Sequence, residues 1–308
     1  MKQSVTHSRR LNPALVALTL SAGLGVLASP ASADVQFNMQ DREVARMVSL
    51  GGSCNRCELS GRNLSGATFT GATFISATLV GANLRGAELV GSNFSASDFS
   101  RADLRGAQIQ GSNFSAANFT DAVLTGAEAQ GSNFNRADLT NANLSGAELV
   151  GANMSGAALT RANLSGAELF GATLANLSAR GASFAGAELN AANMAGGDFT
   201  SANFNGTALD GARLANATFR SATFTDASMN RTDIRGADLS GARGLTQSQV
   251  SEACGDSSTR LPARLTVRSC SSRMTMRVSP PRPPVPPVPP APAPSPRRNI
   301  IIADGGEP

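Results

Sequence analysis

From Leu59 to Leu239 a large apolar residue returns at every fifth position, 37 sites in one unbroken frame, and this period constrains the fold more than any other feature. Leu, Phe, Met or Ile fills 35 of the sites; Ala129 and Ala179 are the exceptions. Two residues before each site stands Ala in 27 cases and Ser in four more, and three before it stands most often Gly. A period of five fits neither the 3.6 residues of an α-helix nor the two of a flat strand. It fits a chain that turns a corner every five residues, with the large side chain inward and Ala tucked beside it where backbone passes close. Gly then serves the corner, where a positive φ or close packing excludes other residues.

A second, longer period says how many corners close a coil. Gly86-Ala87-Glu88-Leu89 returns as Gly126-Ala127-Glu128-Ala129, Gly146-Ala147-Glu148-Leu149, Gly166-Ala167-Glu168-Leu169 and Gly186-Ala187-Glu188-Leu189. Ser92-Asn93-Phe94 returns at Ser112-Asn113-Phe114 and Ser132-Asn133-Phe134. Residues 20 apart are therefore expected to be vertical neighbours, four sides to a coil, with coils stacked at a strand spacing of about 4.8 Å. About nine coils make a rod of roughly 45 Å.

The phrases Ala-Asn-Leu-Ser-Gly and Ala-Asp-Leu-Arg-Gly resemble those of the pentapeptide-repeat family. That resemblance covers residues 54–243 and implies an all-β fold, a right-handed quadrilateral β-helix with short helical caps. The expected organisation is a signal peptide at 1–33, an N-terminal helical cap at 34–53, the solenoid at 54–243, a C-terminal cap at 244–270 and a disordered proline-rich tail at 271–308. The core is a column, represented by Leu59, Phe94, Phe114, Phe134, Leu149, Leu169 and Leu189. Each such burial contributes about 1.5–3 kcal/mol. Open coil ends need covers. Asp34–Leu50, with Val35, Phe37, Val44, Met47 and Val48, provides an apolar helical face for the first coil. Thr246 with Gln249 forms a capping-box signature for a short helix through Ala253 at the far end. At Leu177-Ser178-Ala179 the large and small residues trade places, which predicts a local distortion without loss of frame. Ala129 has no such partner, so Ile109 and Leu149 must fill its space or leave a small cavity.

The two termini are different material. Arg9 and Arg10, the apolar run Ala14–Ala28 and Ala31-Ser32-Ala33 form the pattern of a signal peptide cleaved after Ala33. The apolar run, about 15 residues, falls short of the roughly 20 that span a bilayer, so no transmembrane span is expected in the mature chain. Ser8-Arg9-Arg10 invites a twin-arginine reading, which Asn12-Pro13 fits poorly; general secretion to the periplasm or exterior is the expectation. At the other end, 11 of the 15 Pro lie between Pro280 and Pro296. That stretch reads as polyproline II, a spacer or a ligand for an aromatic-lined groove. Asn299-Ile300-Ile301-Ile302-Ala303 reads as a disordered end or as a strand for a partner's sheet edge.

Composition then excludes chemistry. The only His and the only Lys, His7 and Lys2, precede the cleavage site, so the mature chain has no imidazole or ammonium side chain for acid–base or Schiff-base work. Ser and Thr are plentiful but have no base to activate them, and a convex rod offers no cleft; the chain is read as non-enzymatic and without cofactor. Residues 58–243 hold 15 acidic and 12 basic side chains, so no field for nucleic acid is evident.

Four cysteines remain. Cys54 and Cys57 stand at one end of the solenoid and Cys254 and Cys270 at the other, too far apart for a shared zinc site. By resemblance, Cys54 and Cys57 are structural, as a disulfide or buried thiols, and Cys254 with Cys270 form a disulfide that clamps the closing segment, as export permits.

One outward column is acidic: Glu88, Gln108, Glu128, Glu148, Glu168 and Glu188. Either it binds a cation or basic ligand, with Glu128, Glu148, Glu168 and Glu188 the candidates, or Glu merely replaces Asn and Asp at exposed positions. Some cytoplasmic members of the family mimic duplex DNA and bind type II topoisomerases. The near-neutral body and the export segment argue against that here. The reading is a structural or protein-binding scaffold whose partner is a protein or cell-envelope component; the sequence specifies neither the partner nor an oligomeric state.

Overall fold

The computed structural model describes residues 52–270. The expected signal peptide at 1–33, nearly all of the expected cap at 34–53 and the tail 271–308 lie outside the described residues.

From Ser53 to Arg243 the backbone repeats one five-residue side. One residue forms a bridge, the next points its large side chain inward, two turn the corner, and a small residue points inward again. Every bridge between two residues of this stretch is parallel and joins residues 20 apart, as Asn93↔Asn113 and Asn113↔Asn133 do. Four sides therefore make one coil. Each side contributes a single bridging residue, so the β character lies in the stacking of short sides rather than in long strands.

The backbone N–H groups of one side can be accounted for completely. Taking Asn113–Ala117, the N–H of Asn113 donates to Ser92 O (2.8 Å) in the preceding coil, and those of Phe114 and Ala116 donate to Asn133 O (2.7 Å) and Asn135 O (2.8 Å) in the next. Ala117 N–H closes the corner on Phe114 O (3.0 Å). The fifth, on Ser115, is taken by the side-chain oxygen of Asn113 (3.1 Å). This fifth donor explains the preference for Asn and Asp at the bridging position, because their carbonyl is the right length to reach two residues on. The Asn side chains also stack, Asn113 Nδ2 donating to Asn93 Oδ1 (3.1 Å) and Asn133 Nδ2 to Asn113 Oδ1 (3.0 Å). The second corner residue takes a positive φ, as at Gly146 (63°), and where Gly is missing another residue bears that conformation, as Arg161 does (58°).

Inside, the large residues form four vertical columns. Twelve of the 14 Phe are buried there. They fall in two blocks, Phe69–Phe134 and Phe184–Phe224, separated by coils of Leu and Met. Within a block, rings 20 apart stack, Phe99 on Phe119 at 4.8 Å and Phe184 on Phe204 at 5.0 Å, while rings on adjacent sides meet edge to face. Where Ser or Thr replaces the small Ala, its buried hydroxyl donates to a carbonyl of the preceding coil: Ser132 to Ile109 O (2.6 Å), Thr207 to Phe184 O (2.8 Å) and Thr232 to Leu209 O (2.8 Å).

Leu177 and Ala179 are both buried, and the ladder runs on through Ser178, which bridges Ala158 and Asp198. The distortion is confined to the corner: Leu177 forgoes the bond that Ala172 and Ala182 make to the residue three before. One coil further, the residue at the small position is Gly197, and the Phe199 ring leans into the vacated space. A Cβ on Gly197 would lie 2.5 Å from Phe199 Cε2. Gly197→Ala is expected to lower stability by about 1–3 kcal/mol through overpacking, measured by denaturant unfolding. Ala129 is buried within its column.

Beyond Arg243 the spacing changes. Helix α1, Gln247–Glu252, starts from Thr246, whose hydroxyl accepts from Gln249 N–H, while Gln249 Oε1 accepts from Thr246 N–H. Gln249 Nε2 then reaches Phe224 O and Ala227 O, both at 2.9 Å, supplying donors to the last full coil. With the helix inserted, the bridges become Asp233↔Cys254 and Asp238↔Arg260, 21 and 22 residues apart. Asp256 secures this segment. The Ser258 hydroxyl above all, then the N–H groups of Gly236 and Ser258 and the Thr259 hydroxyl, hold its carboxyl down to about 2. That value lies below the unfolded value of about 3.9, so the stabilisation is present above about pH 4 and lost as pH falls through 2. Asp256→Asn is expected to flatten this acid dependence, read from amide exchange at Gly236 between pH 5 and pH 2.

Candidate docking face

The four faces are not equivalent. On three of them the bridging residue is commonly Asn, Asp, Ser or Thr. On the second face, counted from Asn63, the ladder reads Thr68, Glu88, Gln108, Glu128, Glu148, Glu168, Glu188, Ala208, Ser228, each bridged to the next. The glutamates singled out in the sequence therefore form one continuous vertical row, half-buried at Glu128 and Glu148 and exposed at Glu88, Glu168 and Glu188.

The glutamates of this row do not take up the bond that Asn113 makes. In this row the fifth N–H of each side, on Val90, Gln110, Gln130, Val150, Phe170 and Asn190, finds no acceptor among the described residues. The face thus carries a column of outward backbone donors beside a column of carboxylates. Elsewhere a longer side chain does fill the role, Glu58 accepting from Ser60 N–H at 2.8 Å.

Three carboxylates accept hydrogen bonds across coils, Glu88 Oε2 from the Thr68 hydroxyl (3.4 Å) among them. Gln110 Nε2 donates to Glu128 Oε2 (2.5 Å), and Gln130 Nε2 donates to Glu148 Oε2. The remaining amide oxygens of both glutamines are enclosed without partners. Ion pairs among the described residues join Arg to Asp, as in Arg105–Asp103 (2.5 Å), Arg180–Asp198 (2.6 Å) and Arg220–Asp238 (2.9 Å), and none reaches this glutamate row. Carboxylates one coil apart repel by about 1 kcal/mol in water, so the row is a standing unfavourable charge that the fold does not neutralise.

Beside the row lies the feature that reading the repeat alone overlooks. Phe170 is 55% exposed, the position after a core site, with half-buried Val90 and Val150 in the same column. Its signal was present in the sequence, since within the repeats Phe170 is the only Phe off the inward frame.

The cysteines lie at opposite ends of the described chain, joined as Cys54–Cys57 and Cys254–Cys270. Asp233 comes close to the second pair, but both sulfurs are committed to each other and the carboxylate is held by Arg235 Nε (2.8 Å) and Nη2 (2.6 Å). The cluster is a structural corner rather than a metal centre.

The chain matches the pentapeptide-repeat family in eight copies, over residues 53–89, 79–116, 117–156, 137–176, 167–206 and 202–241. No curated protein matches it. Among solved structures, HetL, a pentapeptide repeat protein involved in heterocyst differentiation regulation in the cyanobacterium Nostoc sp. strain PCC 7120, is 27% identical over 72% of this chain and 99% of its own, with a TM-score of 0.40. QnrB1, a plasmid-mediated fluoroquinolone resistance protein, is 19% identical over 67% of this chain and 93% of its own, with a TM-score of 0.31. Members of this family are right-handed quadrilateral β-helices, and the coil of four five-residue sides described above is that architecture. On its repeats and their spacing, the chain belongs to the pentapeptide-repeat family.

Proposed function

We propose that the protein is an exported, non-enzymatic rod that docks a protein or cell-envelope component of the periplasm or exterior against its second face. One observation carries this reading. On that face the turn donors from Val90 to Asn190 are left open in one unbroken column beside a row of glutamates, and an aromatic ring stands in solvent beside them. Exposed apolar surface rimmed by unpaired charge is the composition of an interaction site. Export rests on Arg9, Arg10, the apolar run and Ala31-Ser32-Ala33; the absence of His and Lys from the mature chain supports a binding rather than a catalytic role.

Two alternatives are weaker. Cation binding by Glu128, Glu148, Glu168 and Glu188 competes with the amide donors of Gln110 and Gln130, which already occupy carboxylate oxygens of Glu128 and Glu148. Topoisomerase binding by DNA mimicry calls for a dense row of negative charge, whereas 12 Arg offset 15 carboxylates between residues 58 and 243.

The test is capture of envelope components by the mature chain and by Glu168→Gln/Glu188→Gln/Phe170→Ser. The docking reading expects a partner retained by the first and lost by the second. An identical set of captured components on both would refute it.

A further inference from the structure

We infer that the occupant of the second face is the chain's own C-terminal segment, residues 271–308, placed so that its arginines meet Glu168 and Glu188 beside Phe170. The inference rests on the reading of this face as a docking surface and adds what covers it. The segment follows directly on Cys270, which is clamped to Cys254 at the end of the rod. It holds five arginines, Arg273, Arg277, Arg282, Arg297 and Arg298, against Asp304 and Glu307, so its charge is opposite to that of the face.

The chemistry matches in three respects. A guanidinium can lie on the Phe170 ring while its N–H fork engages a neighbouring carboxylate, which an ammonium does less well. Polyproline II leaves its carbonyls unpaired, and the face offers unpaired N–H groups at Val150 and Phe170. Polyproline II repeats every three residues, about 9.3 Å, close to the roughly 9.6 Å of two coils, so successive turns of the segment can meet equivalent places on the rod.

Reach is not limiting. The 27 residues from Cys270 to Arg297 extend about 80 Å as polyproline II, against a rod of roughly 45 Å. A second copy of the same face is a poor occupant, because it would set glutamates against glutamates. Tethering also favours the chain's own segment, whose effective concentration is of order millimolar. An external partner would then have to displace the segment, and the tail becomes a built-in competitor rather than a spacer.

The protein contains no Trp and no Tyr, so Phe170→Trp in the full mature chain provides a single emitter on the face in question. Its quenching by acrylamide, a neutral probe, reports whether the ring is covered. The inference expects a quenching constant at low salt at least about two-fold below that of the same chain with all five tail arginines changed to Ser. It also expects the difference to vanish in 1 M salt, where the screening length is about 3 Å, and to persist on tenfold dilution. Equal constants for the two chains would overturn it. So would shielding that disappears on dilution, which would assign the contact to a neighbouring molecule's tail. Because no external partner enters this measurement, its failure leaves the capture experiment to judge the docking reading separately.

Discussion

Phe114→Ala is expected to destabilise the rod by about 3–5 kcal/mol, among the largest effects of any single side chain. Phe114 is fully buried and lies between stacked rings, Phe94 at 5.8 Å and Phe134 at 5.2 Å, with Phe99 and Phe119 edge-on at 5.6 and 5.3 Å. Truncation opens a void that the coil cannot close, because each inward side chain is fixed by a backbone bonded to the coils before and after it. The loss also removes four ring contacts, each of about 0.5–1.5 kcal/mol beyond burial. Denaturant unfolding followed by circular dichroism measures the effect. Phe170→Ala, the same chemical change in solvent, is expected to fall within about 0.5 kcal/mol of zero. The contrast between two phenylalanines of one repeat tests which column faces inward.

Breaking the Cys254–Cys270 link is the second large effect. The bridge spans 16 positions and closes a loop whose removal costs about 3 kcal/mol in the chain-entropy account. Here the loop holds the bridges Asp238↔Arg260 and Gly255↔Ser269, which cover the last coil. Cys254→Ser/Cys270→Ser is therefore expected to lose about 2–4 kcal/mol. Exchange protection should fall first at Ile234 and Leu239, whose N–H groups donate to Cys254 O (2.8 Å) and Arg260 O (2.7 Å). Since contacts run only between neighbouring coils, amides near Phe114 should keep their protection until global unfolding. Uniform loss along the rod would mean that the coils unfold as one unit.

The inward column was legible because it is a one-dimensional signal. Leu59, Phe94, Phe114, Phe134, Leu149, Leu169 and Leu189 can be named by counting fives, and all are buried. Counting twenties likewise places Glu128 beside Glu148. What counting conceals is lateral. Gln110 meets Glu128 across 18 positions, a relation visible only when the sequence is laid out on the faces of the coil. The Phe199 ring leans toward the missing Cβ of Gly197, which no periodicity records. The shift of register to 21 and 22 at the closing end follows from helix α1, whose insertion alters the chain length per coil. Phe170 was open to view and passed over, because the frame draws attention to residues that obey it.

The second face carries an unbroken column of open turn donors from Val90 to Asn190, where the other faces have scattered ones such as Thr125, Thr160 and Ala175, and the docking reading makes a direct demand on stability. If Glu168, Glu188 and Phe170 serve binding and not folding, the fold gains nothing from them. The decisive measurement is the thermal melt of Glu168→Gln/Glu188→Gln/Phe170→Ser against the parent chain. The account predicts a midpoint within about 2 °C of the parent, or slightly above it as carboxylate repulsion is relieved. A midpoint lower by 10 °C or more, on the order of 3 kcal/mol for a rod of this size, would show that this face holds the coil together and contradict the account.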